Sequence, residues 1–392
     1  MEEQLARGPV DLPFLMLVVI LTAVGAITVF SASFPTAINE GKDPAYYFIR
    51  QAGFGGFGLA IMFCISKINY QRFRWMSAFV LIISIILLVL VLIPGIGVVR
   101  GGARRWIRSI GPIPQFQPSE IAKVGVIMYF SARLSKRSQR KPLQFNRRSY
   151  LYAPASFLER TGLFELVPYG LILGLVTLLM LREPHMSGTI LILVGGAAVL
   201  FASGINLFWP LLVGGLGAGA LTLIGLFTPY MRDRLDTWLN PWGDVSDKGF
   251  QITQSLMTIG SGGLLGVGLG KGRQKFAFLP ESENDFIFAV VCEELGLVGA
   301  CVILFLFALL VLRGFWIAVH ARDRFGALLT VGVTTLLAVQ VFLNIAVVTN
   351  LLPTTGISLP FFSYGGTALM IQLAEMGMVL SVSRQIPASK QG

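Results

Sequence analysis

Ten stretches of about 20 mostly apolar residues constrain this chain more than any other feature, because runs of that length match the hydrocarbon thickness of a bilayer. They fall near 12–33, 46–66, 73–94, 118–135, 163–181, 187–204, 206–228, 286–313, 325–350 and 361–383. The spacing predicts an all-α polytopic membrane protein of about ten transmembrane helices, forming a single integral membrane domain over 1–392. Charged residues make up 13% of the chain, against roughly 25% in an ordinary soluble domain. The first run follows Glu2 and Glu3 and precedes nine others, so it reads as a retained anchor and not a cleaved leader.

Alternate connections differ in Lys and Arg, with 17 on the face that carries both termini and 13 on the other. Most of that margin sits in a basic loop at about 134–162, around RLSKRSQRKPLQFNRR. The positive-inside rule then predicts a bacterial cytoplasmic membrane protein with both termini cytoplasmic. Arg100, Arg104, Arg105 and Arg108 crowd one short external connection, where topology alone selects against them. Positive charge retained on that side points to an anionic ligand such as a lipid phosphate. The excess of 31 basic over 20 acidic residues is therefore a topology signal, and no basic face with exposed aromatics suggests nucleic acid. Cys64, Cys292 and Cys301 each lie in an apolar run, and two histidines cannot build a multi-histidine metal cage.

The longest external connection, about 229–285, is rich in proline, glycine and charge, and long loops of this kind are usually functional. Within it Phe250, Ile252, Leu256 and Ile259 follow a rough helical period, which predicts a short interfacial helix. The run IGSGGLLGVGLGKG (259–272) is not a phosphate loop, since Lys271 is followed by Gly272 and Leu265 occupies the first glycine's place. A bent, closely packed backbone is the better expectation. Asp285 opens the next apolar run behind Lys271, Arg273 and Lys275. Position alone leaves two roles open, a helix cap or a carboxylate able to take a proton from a hydroxyl. Glu120 and Lys123 are three apart in QPSEIAKVG, so they share a helix face and form either a structural pair or part of a site. Glu293, Glu294 and Glu375 within later runs read at least as well as packing groups. The turn LREPHMSGT (181–189) sets Arg182, Glu183 and His185 at the surface, and the proline- and hydroxyl-rich NLLPTTGISLPFFSYGGT (350–367) lines or caps a cavity.

Across nearly its whole length the sequence strongly resembles the SEDS family (shape, elongation, division and sporulation), which includes FtsW and RodA. The resemblance rests on GARRWI (102–107), QPSEIAK (117–123), YMRDRLDTWLNP (230–241), the long run FQITQSLMTIGSGGLLGVGLGKGRQKFAFLPESENDFIFAVVCEELG (250–296) and LLPTTGISLPFFSYGGT (351–367). The QSL to LPE run and TTGISLPFFSYGG look closer to the FtsW division and sporulation branch than to RodA.

The resemblance implies a peptidoglycan glycosyltransferase that polymerises lipid II at the outer face of the cytoplasmic membrane. It implies a class B penicillin-binding protein as transpeptidase partner, together with other division or sporulation proteins. The family's essential acidic residue corresponds to Asp285, which would act as general base. Arg104, Arg105, Arg273 and Lys275 become candidate pyrophosphate clamps, with Glu120 and Lys123 shaping the cavity, and Trp106, Glu281 and Ser363 complete the implied substrate contacts. A divalent cation, Mg or Mn, could share the charge. Two departures stand out: relatives commonly read E/Q-P-D where His185 follows Glu183 and Pro184, and SENDF lacks the frequent histidine two before the aspartate. The alternative from another class is a flippase carrying lipid II across the membrane, for which polar groups near the midplane and an internal repeat are expected.

Overall fold

The computed structural model describes residues 8–100, 103–109, 114–137, 162–183, 185–205, 235–243, 249–276, 279–280 and 282–386, with single positions 208, 215, 219 and 245; of Arg100 only the backbone is described. The apolar run at 206–228, the basic loop beyond Arg137 and Glu281 fall essentially outside these residues. The other nine runs become helices: α1 (Leu12–Asn39), α2 (Tyr46–Ser66), α3 (Gln71–Leu92), α4 (Pro118–Leu134), α5 (Leu163–Arg182), α6 (Met186–Ala202), α8 (Ile287–Val319), α9 (Arg324–Val348) and α10 (Gly366–Ser383). Between them lie the hairpin β1 (Gly97–Arg100) and β2 (Ala103–Ile107), and α7 (Phe250–Ser261). Seven helices, all but α4, α6 and α7, are long and apolar enough to cross a membrane. The 17-residue α4 begins on Pro118, whose missing N–H costs nothing at a helix start.

The chain groups into two compact units, each described by itself. One comprises 1–69, 225–320 and 336–392, and so holds α1, α2, α7, α8, α10 and the later part of α9. At one end of it Asp11 caps α1 by accepting from the Phe14 N–H at 3.0 Å, and Arg313 of α8 grips the same carboxylate with contacts of 2.8 to 3.1 Å. The Gly8 N–H donates to Arg384 O at 2.9 Å, so the two ends of the described chain share that end of the unit. Small residues let the helices close up. A Cβ on Gly25 of α1 would sit 2.3 Å from Phe361 O, and one on Gly377 of α10 would sit 2.7 Å from Met62 O of α2.

The decisive feature of this unit is a break in α8. Gly296 adopts φ 68°, ψ −172°, which only glycine reaches cheaply, and the helical ladder is interrupted there. The freed carbonyls of Glu293 and Glu294 accept from Val267 and Gly268 N–H at 3.0 Å each, while Leu297 and Val298 N–H donate to Gly263 and Leu264 O at 2.9 and 3.1 Å. The glycine-rich run thus lies backbone to backbone on the break, as its composition predicts. Gly266, at φ 75°, sits where a Cβ would be 2.2 Å from Glu294 O.

The second unit comprises 70–224 and 321–335, with α3, the hairpin, α4, α5, α6 and the start of α9. Gly125 of α4 meets α3, where a Cβ would be 3.2 Å from Leu81 Cα, and Gly332 of α9 faces Ile127 and Val199. Tyr70 and Gln71 donate to Asp323 at 2.5 and 2.9 Å, fixing the start of α9.

One local expectation changes. The short helix at 249–259 exists as α7, but its buried face is Ile252, Thr253, Gln254, Ser255 and Thr258 instead of the apolar period alone. Its hydroxyls satisfy carbonyls, Ser255 donating to Val348 O at 2.9 Å, so a polar face can turn inward. The arginine-rich connection forms the hairpin, in which Val98 pairs with Trp106 and Val99 with Arg104 in an antiparallel ladder.

Gly266→Ala should destabilise the detergent-purified protein by about 2 kcal/mol or more, from left-handed strain plus the backbone clash. Gly260→Ala, with nothing within 4 Å of its added Cβ, should be neutral or slightly stabilising. Equal melting temperatures for the two variants would show that the break does not depend on this contact.

Candidate functional site

Asp285 stands one residue before Phe286, the N-cap position of α8, where no side-chain cap bond forms. Three consecutive carbonyls fix its backbone. Glu283 O accepts from the Tyr364 N–H at 2.8 Å, Asn284 O from the Ser363 hydroxyl at 2.7 Å, and Asp285 O from the Asn344 amide at 2.8 Å. Asn344 spends its other N–H on Ile357 O at 2.6 Å, and Gln340, one turn earlier on α9, donates to Ser358 O at 3.1 Å. Gln51 of α2 donates to Ser363 O at 3.1 Å. The 350–365 segment is therefore stitched to α2, α9 and the 283–285 segment. Gly356, at φ 70°, brings its backbone so close that an added Cβ would lie 3.3 Å from Asp285 Oδ2. The Asp285 residue is half-buried with its main chain held, the state in which a carboxylate can exchange a proton with a positioned hydroxyl.

The neighbouring acids do different work. Glu293 Oε1 accepts from the backbone N–H groups of Arg273 and Gln274 at 2.8 and 3.2 Å. Glu294 forms a 2.7 Å ion pair with Lys275, both side chains buried, and Ser31 of α1 donates to Glu294 Oε1 at 2.6 Å. Lys275 is thus corrected from its expected clamp role: its ammonium is committed to a buried carboxylate and to the Ser31 hydroxyl at 2.7 Å. Lys271 and Arg273 remain exposed. The Ser363 hydroxyl takes part in this framework, donating to Asn284 O and accepting the Leu359 N–H at 2.7 Å. Glu375 is buried within α10. Asn344, Gln340 and Gln51 escaped the sequence reading; their signal was a polar amide inside an apolar run.

The second unit carries the other predicted residues. Arg104 donates to Leu92 O at 2.9 Å, and its stem covers Gly97. Arg105 donates to Glu183 O at 3.4 Å, Trp106 is half-buried, and Arg108 is exposed. Lys123, itself buried, pairs with Glu120 at 2.7 Å on one face of α4, as their spacing predicts. Glu183 and His185 are not at the surface as expected but buried. The Gln117 amide lies 3.2 Å from His185 Nε2. Burial, helped by Arg105 and Lys123, pulls His185 down to about 3, so the ring is neutral. Neither carboxylate oxygen of Glu183 has a hydrogen-bond partner among the described residues. Burial pushes this acid up to about 8, against a partial downward pull from Arg105.

The fold and these clusters define a multi-pass helical membrane protein with an acid held at the mouth of one helix and a basic hairpin in its other unit. The family described as "Cell cycle protein", which spans FtsW, RodA and SpoVE, matches residues 12–387, and the chain belongs to that family. It is 39% identical over 375 residues to stage V sporulation protein E of Bacillus subtilis, covering 95% of this chain and 97% of that one. It is 40% identical over 383 residues to the probable peptidoglycan glycosyltransferase FtsW of Geobacter metallireducens, covering 96% and 95%. Among solved structures it is similar to the rod shape determining protein RodA of Thermus thermophilus (TM-score 0.66, 28% identity, 98% and 99% of the two chains). It also matches a chain described under "Structural coordination of polymerization and crosslinking by a peptidoglycan synthase complex" (TM-score 0.73, 29% identity, 96% and 98%).

Glu183, raised from 4.5 to about 8, holds its proton only in the folded protein between those values. Its contribution to stability is complete below the lower value and is lost as pH rises through the upper one. The melting temperature of the wild type should therefore fall more steeply between about pH 5 and pH 8 than that of Glu183→Gln. Parallel curves would show that the carboxyl is ionised in the fold.

Proposed function

We propose that Asp285 is the general base of glycosyl transfer, and that the chain polymerises lipid II at the outer face of the cytoplasmic membrane. The chain is a peptidoglycan glycosyltransferase of the FtsW and SpoVE kind, serving division or sporulation. The observation that carries the role of Asp285 is its framework: three successive carbonyls are taken by Tyr364, Ser363 and Asn344, which fixes the main chain that carries the carboxylate. Asp285 takes the proton of the acceptor sugar hydroxyl as that oxygen bonds to the anomeric carbon of the donor. The bond from that carbon to the pyrophosphate oxygen breaks, and undecaprenyl pyrophosphate leaves with the electron pair. Exposed Lys271 and Arg273 supply charge for pyrophosphate oxygens. Glu120 and Lys123 hold each other and shape the wall of their own unit.

Among the described residues no group of three or more His, Cys, Asp or Glu is placed to hold a metal ion, so the residues present do not fit a protein-built cage and no step is assigned to one. An Mg or Mn ion carried on the pyrophosphate would add positive charge there. Both termini on the cytoplasmic side agrees with the Lys and Arg count and with the Gly8 to Arg384 bond. A class B penicillin-binding protein as transpeptidase partner fits the peptidoglycan synthase complex in which a similar chain was solved. The flippase alternative has less support, because Lys275 with Glu294 and Lys123 with Glu120 are mutually satisfied pairs and not open carrier sites.

Asp285→Asn, correctly inserted and mixed with lipid II and the transpeptidase, should polymerise about 100-fold more slowly or worse. Wild-type rates from that variant would remove Asp285 from the mechanism. Gly356→Ala, which crowds Asp285 Oδ2 without touching its chemistry, should slow polymerisation about tenfold with insertion intact. An unchanged rate would show that the carboxylate is not positioned by this loop.

A further inference from the structure

The end of the first unit that carries Asp285 holds a second polar feature unused by the transfer step. The connection from α1 to α2 folds a short row of rings and charges against the 350–365 segment. Tyr46 and Tyr47 meet edge to face with centroids 5.2 Å apart, and Tyr47 meets Tyr364 in the same way at 5.0 Å. Lys42 lies 4.6 Å from the Tyr46 centroid and 5.3 Å from that of Tyr47. Arg50, one turn along α2, lies 5.5 Å from the Tyr46 ring and donates to its hydroxyl at 2.7 Å. Glu40 accepts from both Tyr47 and Lys42 at 2.6 Å. The row runs directly into the Asp285 segment, because the Tyr364 N–H is the group that holds Glu283 O.

Each member fixes another. Tyr47 is buried with its hydroxyl engaged, Tyr46 and Tyr364 are half-buried, and Glu40, Lys42 and Arg50 are exposed above them. A headgroup anchor works through long side chains that snorkel independently of one another. A set of rings meeting edge to face, with two cations and one carboxylate joined to them by ring contacts and hydrogen bonds, is instead pre-organised for a rigid ligand. Pyranose rings offer apolar C–H faces that stack on aromatic faces. Amino sugars bearing carboxyl substituents add anions for Lys42 and Arg50, and their hydroxyls can donate to Glu40.

We infer that this row is a saccharide subsite that holds amino-sugar residues of the glycan strand beside the Asp285 segment. The inference rests on the glycosyltransferase reading for the source of the strand, but binding itself requires no turnover. The test is titration of detergent-purified full-length protein with a soluble, lipid-free peptidoglycan tetrasaccharide, followed by ligand-observed NMR. Tyr46→Ala and Arg50→Gln should each weaken binding about fivefold or more, while Tyr46→Phe, which keeps the ring, should lose less. Asp285→Asn should bind as the wild type does, and the two weakened variants should yield shorter strands from lipid II. Wild type that binds no tetrasaccharide, or equal binding by Tyr46→Ala, Arg50→Gln and wild type, overturns the subsite. So does unchanged saccharide binding accompanied by stability that has become insensitive to phosphatidylglycerol in nanodiscs, which would make the row a lipid anchor. Tetrasaccharide binding by a wild type that makes no polymer would sink the catalytic reading and leave the subsite standing.

Discussion

The backbone seam between the glycine-rich loop and the break in α8 is the constraint on which the first unit depends. A 33-residue apolar helix interrupted at Gly296 exposes carbonyl and N–H groups that have no water to turn to, and each would cost several kcal/mol unsatisfied. Residues 263–268 meet that demand with four reciprocal main-chain bonds, which requires backbones closer than any side chain permits. The loop is thereby made part of the helix. Glu293 and Glu294, just before the break, then reach back to residues 273–275 of the same loop and pin it a second time.

This double anchoring separates two kinds of acid that look alike in sequence. Glu294 has its charge consumed by Lys275 and Ser31, and a buried pair of this sort contributes more to register between α1, α8 and the loop than to net stability. Asp285 is held through its backbone. Its main chain and that of its two predecessors are consumed by Asn344, Ser363 and Tyr364, and Gly356 keeps the space beside its carboxylate small.

The spans were legible because bilayer thickness leaves a coarse mark on hydropathy, and the glycine run announced close backbone packing by composition. The orientation of α7 was not legible, since in a membrane protein the inside is no more apolar than the outside and a helical period does not say which face is buried. Nor does sequence distinguish Arg273 from Lys275. They are two residues apart, but the partners that bury Lys275 lie at Ser31 and Glu294, far along the chain. The hairpin carried a readable signal in Val98, Val99, two glycines and Trp106, obscured by the arginines between them. Gln340 and Asn344, one helical turn apart in an otherwise apolar run, could have been found as a polar pair in an expensive place.

Two arginines of the hairpin have a structural job. Arg104 caps Leu92 O at the end of α3, and Arg105 bonds Glu183 O at the end of α5, so both supply donors to helix carbonyls that would otherwise lack them. A guanidinium has five N–H donors, and one carbonyl consumes only one of them. Arg104 and Arg105 thus tie the hairpin to the ends of α3 and α5.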